Sequence, residues 1–251
     1  MIAVRAPYAW DRVLEYLSWR YTPGVEEIGE GVYRRRVGEE VVTVGYGTGG
    51  LCVSRPGEAD RVGRMFDAGC DPAAVRRVLG MCTILRERVK KAPGLRIPGC
   101  WDGFELCVRV VLGQQVSVKA AHTLMGRLAA RCGGVDAERV AEADLSGLGL
   151  TGGRVRSLRA LAEAAAGGRL RLEGVDWAET AEGLAAIRGV GAWTIEYLAV
   201  RLGRDTDAFP ATDLGLLRAS GAGSAAELSR MAERWRPFRA YAAMYLWAVS
   251  P

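Results

Sequence analysis

Residues 180–217 read TAEGLAAIRGVGAWTIEYLAVRLGRDTDAFPATDLGLL. Apolar positions keep helical spacing up to Ile187, Gly189-Val190-Gly191 makes a tight bend, and Ala192-Trp193-Thr194 open a second helix at once. The stretch therefore predicts a helix-hairpin-helix over about residues 180–203. Glycines at 189 and 191 let the backbone come close to a phosphate, and the free N–H groups of the second helix's first turn, at Ala192 and Thr194, add donors and a positive dipole end. Such a hairpin grips a DNA backbone without reading its sequence. A glycine-rich turn joining two packed helices would read the same way if GVG stood alone.

Asp213 lies twenty residues after Trp193, behind the polar, proline-broken loop of residues 204–213. A loop so placed returns an acid to the mouth of the hairpin. Asp213 or Thr212 also fits the N-cap of the following LGLLRA helix, and one carboxylate can cap and catalyse together.

Upstream, residues 8–20 have helical spacing, and VYRRRVG (32–38), EVVTVGYG (40–47) and LCVSRP (51–56) are strand-like runs separated by glycine-rich turns. GYGTGG (45–50) matches a GxGxxG spacing after a strand, but another strand candidate follows where a phosphate-binding helix would be needed, so a hairpin turn is expected. The pattern turns helical after SRPGEADRVGRMFDAG (54–69), and APGLRIPGC (92–100) reads as a joint followed by about eight helices. These features predict an α+β chain: a mixed module over residues 1–77 with a small antiparallel sheet, and an all-helical core over residues 78–251.

Composition narrows the chemistry. With 34 Lys and Arg against 29 Asp and Glu, the formal charge of +5 suits a polyanionic partner, since neutralised phosphates release counterions. No window has the roughly 18 apolar residues of a membrane span, so no membrane partner and a cytoplasmic location are expected. The six cysteines show no CxxC pair, which favours reduced, mostly buried thiols. The single histidine, His122, excludes histidine-rich metal sites and leaves carboxylates to carry the chemistry.

Four ordered segments then give a resemblance. PGLRIPGCWDGFELCVRVVLGQQVSVKAA (93–121), GVGAWTIEYLAVR (189–201), the loop from Phe209 to Asp213 and AERWRPFRAYAAMYLWA (232–248) resemble the helix-hairpin-helix DNA glycosylase superfamily, and within it the AlkA-type DNA-3-methyladenine glycosylase II family. PYAW (7–10) and RMFD (64–67) extend the likeness over nearly the whole chain. The resemblance implies a TATA-binding-protein-like sheet module packed on the helical core. It also implies flipping of an alkylated base from double-stranded DNA and hydrolysis of its N-glycosidic bond by a monomeric enzyme. Asp213 falls on the family's essential aspartate, and Trp193, Tyr197, Trp247 and Tyr16 fall where the family lines its base pocket. A stacked aromatic face attracts a base made cationic by alkylation, although each ring also suits ordinary core packing.

Gln115 matches the residue wedged into the gap left by the flipped base, where leucine is familiar, and Leu214 stands where the family has tyrosine. The lysine that marks lyase members is replaced by Trp193. The chain's lysines are Lys90, Lys91 and Lys119, which implies a monofunctional enzyme. No cysteine follows Cys132, so no iron-sulfur cluster is expected. The resemblance requires no cofactor but offers the carbonyls around Ile187 and Val190 to a monovalent cation, Na+ or K+, bridging to phosphate. Two other readings remain at this level: a non-catalytic binder of damaged or distorted DNA, which would not need an acid at 213, and a glycosylase for deaminated bases.

Overall fold

In the computed structural model, which describes residues 1–249, five strands form one antiparallel sheet. They are β1 (Ile2–Ala3), β2 (Glu26–Gly29), β3 (Val32–Val37), β4 (Glu40–Gly47) and β5 (Gly50–Val53), in the order β1-β5-β4-β3-β2. Alternation decides the covered face: Tyr33 and Arg35, then Val42 and Val44, then Leu51 turn inward. Two strands exceed the three expected. β1 has two residues and β2 reads EEIG, so neither is long or apolar enough to show alternation. The GYGTGG segment ends β4, turns, and begins β5 with no helix after it. Gly50 (φ +146°) pairs with Ala3 at a place where a Cβ would stand 2.0 Å from the Ile2 carbonyl oxygen.

Helix α1 (Trp10–Leu17), shorter than the expected 8–20, and α2 (Ala59–Met65) cover the sheet. Val13, Leu17, Tyr33, Val44, Val62 and Phe66 share their core. Next come α3 (Pro72–Leu79) and α4 (Thr83–Lys91). A division after residue 77 would cut α3, whose Val75 and Leu79 bury with the C-terminal helices and not with the sheet.

Nine further helices follow among the described residues, against about eight expected: α5 (Gly103–Gly113), α6 (Val118–Cys132), α7 (Ala137–Glu142), α8 (Gly152–Ala166), α9 (Trp177–Ala185), α10 (Ala192–Arg201), α11 (Leu214–Ser220), α12 (Ala225–Ala232) and α13 (Arg239–Ala248). Helix α5 is apolar on nearly every side because it is buried on nearly every side, from Gly103 to Leu112. No helix among the described residues is long and apolar enough to cross a membrane. All six cysteines are free. Cys70 and Cys107 are buried and Cys52 is exposed, so the thiols are less covered than composition suggested.

The joint at residues 92–100 is a packed seam rather than a surface linker. Gly94 accepts from Ala9 N–H (3.2 Å), Gly99 donates to the Met65 carbonyl (2.7 Å), and Pro98 and Gly99 accept from Arg201 (2.6 and 3.0 Å). Gly94 (φ +73°) has no room for a side chain, since a Cβ would lie 2.0 Å from the Pro7 carbonyl oxygen. Below the seam, Arg35 of β3 and Glu105 of α5 form a buried bidentate pair (2.5 and 3.0 Å), with Glu26 3.2 Å from the same guanidinium. Charges taken out of water this way are held by fork-on-fork geometry, which ties the sheet to the helices at a fixed register.

Asp67 joins the seam to α13, accepting from Ile97 N–H (3.2 Å) and the Tyr241 hydroxyl (2.9 Å). Burial outweighs these bonds and pushes its carboxyl up to about 6. A folded value above the unfolded value of about 3.9 means that the folded state binds the proton more tightly. The stability from this group is therefore full below about pH 4 and is lost as pH rises through about 6. Denaturant unfolding at successive pH values should show wild type losing stability between pH 4 and 7 relative to Asp67→Asn. Parallel profiles would contradict the assignment.

Candidate active site at the hairpin mouth

The hairpin forms as its glycines require. Helix α9 ends at Ala185, two residues before the expected Ile187, and α10 begins at Ala192. Val190 N–H closes the turn on the Ile187 carbonyl (3.0 Å), leaving that oxygen one lone pair for another ligand. Gly189 takes φ +93°, and a Cβ there would lie 2.3 Å from Ser157 Oγ, which itself donates to the Arg188 carbonyl (2.8 Å). Gly191 is the N-cap of α10 and supplies no capping side chain, so the first-turn N–H groups at the exposed Gly191 and Ala192 receive no such bond. The Thr194 side chain is buried, and its hydroxyl accepts from Gln114 Nε2 (3.3 Å).

Beyond α10, the loop of residues 204–213 is pinned at several points. Glu196 accepts from Phe209 N–H (3.0 Å), Ala240 N–H donates to the Thr206 carbonyl (3.0 Å), and Asp207 pairs with Arg236 and Arg239 of the C-terminal segment. These contacts deliver Asp213 to a half-buried place at the start of α11. Its Oδ1 accepts from Leu216 N–H (2.9 Å) and Trp247 Nε1 (3.0 Å), and its Oδ2 from Trp193 Nε1 (3.0 Å). Both readings of Asp213 thus meet in one side chain, which caps α11 while presenting a carboxylate. Its three donors are neutral, so they orient the charge without cancelling it. Oδ2, with one donor, keeps the freer lone pair.

A cavity of about 430 Å³ opens beside this carboxylate, and its wall brings together Asp213, Trp193, Tyr197, Trp247 and Tyr16. Trp193 and Tyr197 stack with centroids 5.4 Å apart at 26°, and Tyr197 meets Trp247 at 5.4 Å and 56°. Behind them the buried Arg201 donates to the Tyr197 and Tyr16 hydroxyls (3.1 and 3.4 Å). Burial alone would raise the Tyr197 phenol, but the charges of Arg201 and Arg20 outweigh it and hold it below the ordinary value. Arg20 lies 3.9 Å over the Tyr16 ring.

Gln115 is exposed on the loop between α5 and α6 with φ +58°, outside the cavity wall and next in sequence to Gln114, which contacts the hairpin. Sequence reasoning passed over Gln114, Ser157 and Arg201. Gln114 turns inward at the C-cap of α5, and its Nε2 donates to the Gly189 carbonyl (2.9 Å), fastening the α5–α6 loop to the hairpin. A glutamine pair at a helix end was the available signal. Arg201 sits in an ordinary helical AVR triplet that gives none. His122 packs against Trp19 and Tyr21, outside the cavity wall.

An anion-seeking hairpin held beside a carboxylate and an aromatic cavity, with a sheet packed behind, is the arrangement of helix-hairpin-helix DNA repair proteins. Family models match as "AlkA N-terminal domain" over residues 1–59 and 54–102, and as "HhH-GPD superfamily base excision DNA repair protein" over residues 108–234. A relative named DNA-3-methyladenine glycosylase 2 from Escherichia coli is 33% identical, over 96% of this chain and 94% of its own length. A Mycobacterium tuberculosis protein, "Probable bifunctional transcriptional activator/DNA repair enzyme AlkA", is 37% identical over 99% of this chain, which spans 56% of that protein's length. The chain belongs to the AlkA-type DNA-3-methyladenine glycosylase II family of the HhH-GPD superfamily. Among solved structures, a 3-methyladenine DNA-glycosylase from Archaeoglobus fulgidus shares the fold (TM-score 0.83, 20% identity, covering 98% of this chain and 96% of that one). Schizosaccharomyces pombe Mag1, solved with abasic DNA, matches at TM-score 0.58 and 26% identity over 70% of this chain and 95% of its own.

Because Asp213 caps α11, removing its side chain costs folding as well as charge. Asp213→Ala is expected to lose about 1 kcal/mol of stability, the usual cost of a lost N-cap, and Asp213→Asn a few tenths at most. Denaturant unfolding of the two variants checks this, and equal losses would mean that the capping bond contributes nothing.

Proposed function

We propose that this chain is a monofunctional DNA glycosylase that extrudes an N3- or N7-alkylated purine from duplex DNA and hydrolyses its N-glycosidic bond, leaving an abasic site. The observation that carries the reading is Asp213, a carboxylate fixed by two indole N–H groups and a helix N-terminus on the wall of an aromatic cavity beside the hairpin.

Each part has a task. The N–H groups at Gly191 and Ala192 take a backbone phosphate, and the close approach depends on the bare Gly189 and Gly191. Gln115 plugs the gap left in the stack, which a polar side chain fills by hydrogen bonding. The extruded base enters the cavity against Trp193, Tyr197, Trp247 and Tyr16, where ring faces attract a cationic purine by roughly 0.5–2 kcal/mol. As the bond from C1′ to the base nitrogen breaks, its electron pair leaves with the base and neutralises it. Positive charge then grows on the sugar, and the Asp213 carboxylate stabilises it. Water adds to C1′ and gives up a proton, completing hydrolysis.

The amine needed for a Schiff base is missing from the hairpin: Trp193 occupies that place, and Lys90, Lys91 and Lys119 lie on α4 and α6. This supports hydrolysis without strand cleavage. The free lone pair of the Ile187 carbonyl, with Val190 beside it, suits a monovalent cation bridging to phosphate.

Single-turnover release of 3-methyladenine and 7-methylguanine from methylated duplex DNA tests the reading. Wild type should release both bases, and Asp213→Asn should bind the DNA yet release them at least a hundredfold more slowly. A folded wild type that binds DNA and releases nothing would favour a non-catalytic binder, and an equally active variant would mean that another acid acts. Trp247→Phe keeps the ring and removes one donor to Asp213. A loss of about 10- to 100-fold is expected from a hydrogen bond to a charged group. Borohydride should trap no covalent complex with DNA.

A further inference from the structure

Seven large apolar side chains are exposed among the described residues, and three of them, Trp19 (50%), Val118 (44%) and Leu214 (65%), gather at the cavity. Trp19 and Val118 line it, and Leu214 sits between Asp213 and Gly215, which also do. Apolar surface concentrated at one concave place marks a binding surface more strongly than the same residues scattered.

Trp19 is held in place there. It follows α1, and its ring meets His122 of α6 edge-on, with centroids 5.9 Å apart at 75°. His122 in turn meets Tyr21 at 4.7 Å and 75°. Burial, with Arg109 nearby, lowers the His122 pKa, and its buried Nδ1 has no hydrogen-bond partner among the described residues. An orphaned buried nitrogen is a cost, and what the bracket of three rings yields is one indole fixed half in solvent at the cavity.

We propose that Trp19 is a specificity-determining residue: a second stacking plate, added to the Trp193–Tyr197–Trp247 wall, that holds purines enlarged by an adduct bigger than methyl. The inference rests on the base-release reading above. A cavity of about 430 Å³ lies in the range of roughly 300–1,000 Å³ that accommodates whole small-molecule ligands, more than a methylated purine fills. Stacking tolerates varied partners because any flat group offers a π face, so Trp19 accepts the adduct without reading its identity.

The test compares release of benzylated and methylated purines from DNA treated with benzyl bromide or dimethyl sulfate. Trp19→Ala should lower the benzyl-to-methyl ratio of kcat/KM about tenfold, within the range measured for loss of a base–aromatic stack, and Trp19→Phe should restore most of it. An unchanged ratio overturns the proposal. So does a matching loss of affinity for undamaged duplex, which would put Trp19 against the strand. A second readout needs no catalysis: free 7-benzylguanine should protect one more tryptophan from acrylamide quenching in wild type than in Trp19→Phe, where Trp193 and Trp247 still line the cavity. Absence of that protection also overturns the proposal. Protection without release of methylated purines by wild type would instead overturn the glycosylase reading and leave the role of Trp19 standing.

Discussion

The guanidinium of Arg201 is buried without a carboxylate partner among its hydrogen bonds, and three parts of the molecule meet on it. Two of its donors take the carbonyls of Pro98 and Gly99 in the seam, and a third faces the hydroxyls of Tyr197 and Tyr16. A buried charge must find fixed dipoles or pay the full cost of desolvation, so each of these groups is held where it stands. Sheet module, seam and hairpin helix therefore share one anchor, and the aromatic floor of the cavity is positioned by it.

Asp213 depends on that anchor indirectly. The second indole on the carboxylate comes from α13, whose Tyr241 and Tyr245 pack back on Asp67 and on the Ala92 carbonyl at the start of the seam. The site is thus assembled from the C-terminal helix, the hairpin helix and α1, elements separated by most of the chain. Rigid elements of this kind hold a reacting group more closely than a loop alone does.

Much of this was legible in the order of residues, for reasons that differ by element. The hairpin is legible because GVG between two apolar-periodic runs is followed, twenty residues after Trp193, by an acid behind a proline-broken loop, and β3 to β5 because alternation survives in runs of four or more. β1 and β2 leave no such trace, since their pairing is imposed by the neighbouring strands and by the bare backbone at Gly50. The clustering of Trp193, Tyr197, Trp247, Tyr16 and Asp213 followed from family likeness, while the hydrogen bonds from both indoles to the carboxylate needed coordinates. Gln114 and Gln115 show the limit plainly: adjacent and chemically identical, one contacts the hairpin and the other is exposed, because Gln114 caps the end of α5 and only Gln115 takes a left-handed backbone. The joint at residues 92–100 gave no sign of its packing, because Pro and Gly usually punctuate surface chain, whereas here the glycines are present for close packing.

That seam has a consequence for anyone recombining this chain with a relative. Arg35 and Glu105 lie on opposite sides of it, as do Tyr16 and Arg201, so a crossover placed at the glycines would separate partners that hold one another in this fold. A chimera would inherit a cation from one parent and its cradle from the other. The natural unit of exchange is therefore the whole fold, and variation is more readily accepted at the cavity's edge, where Trp19, Val118 and Leu214 stand free of these pairings.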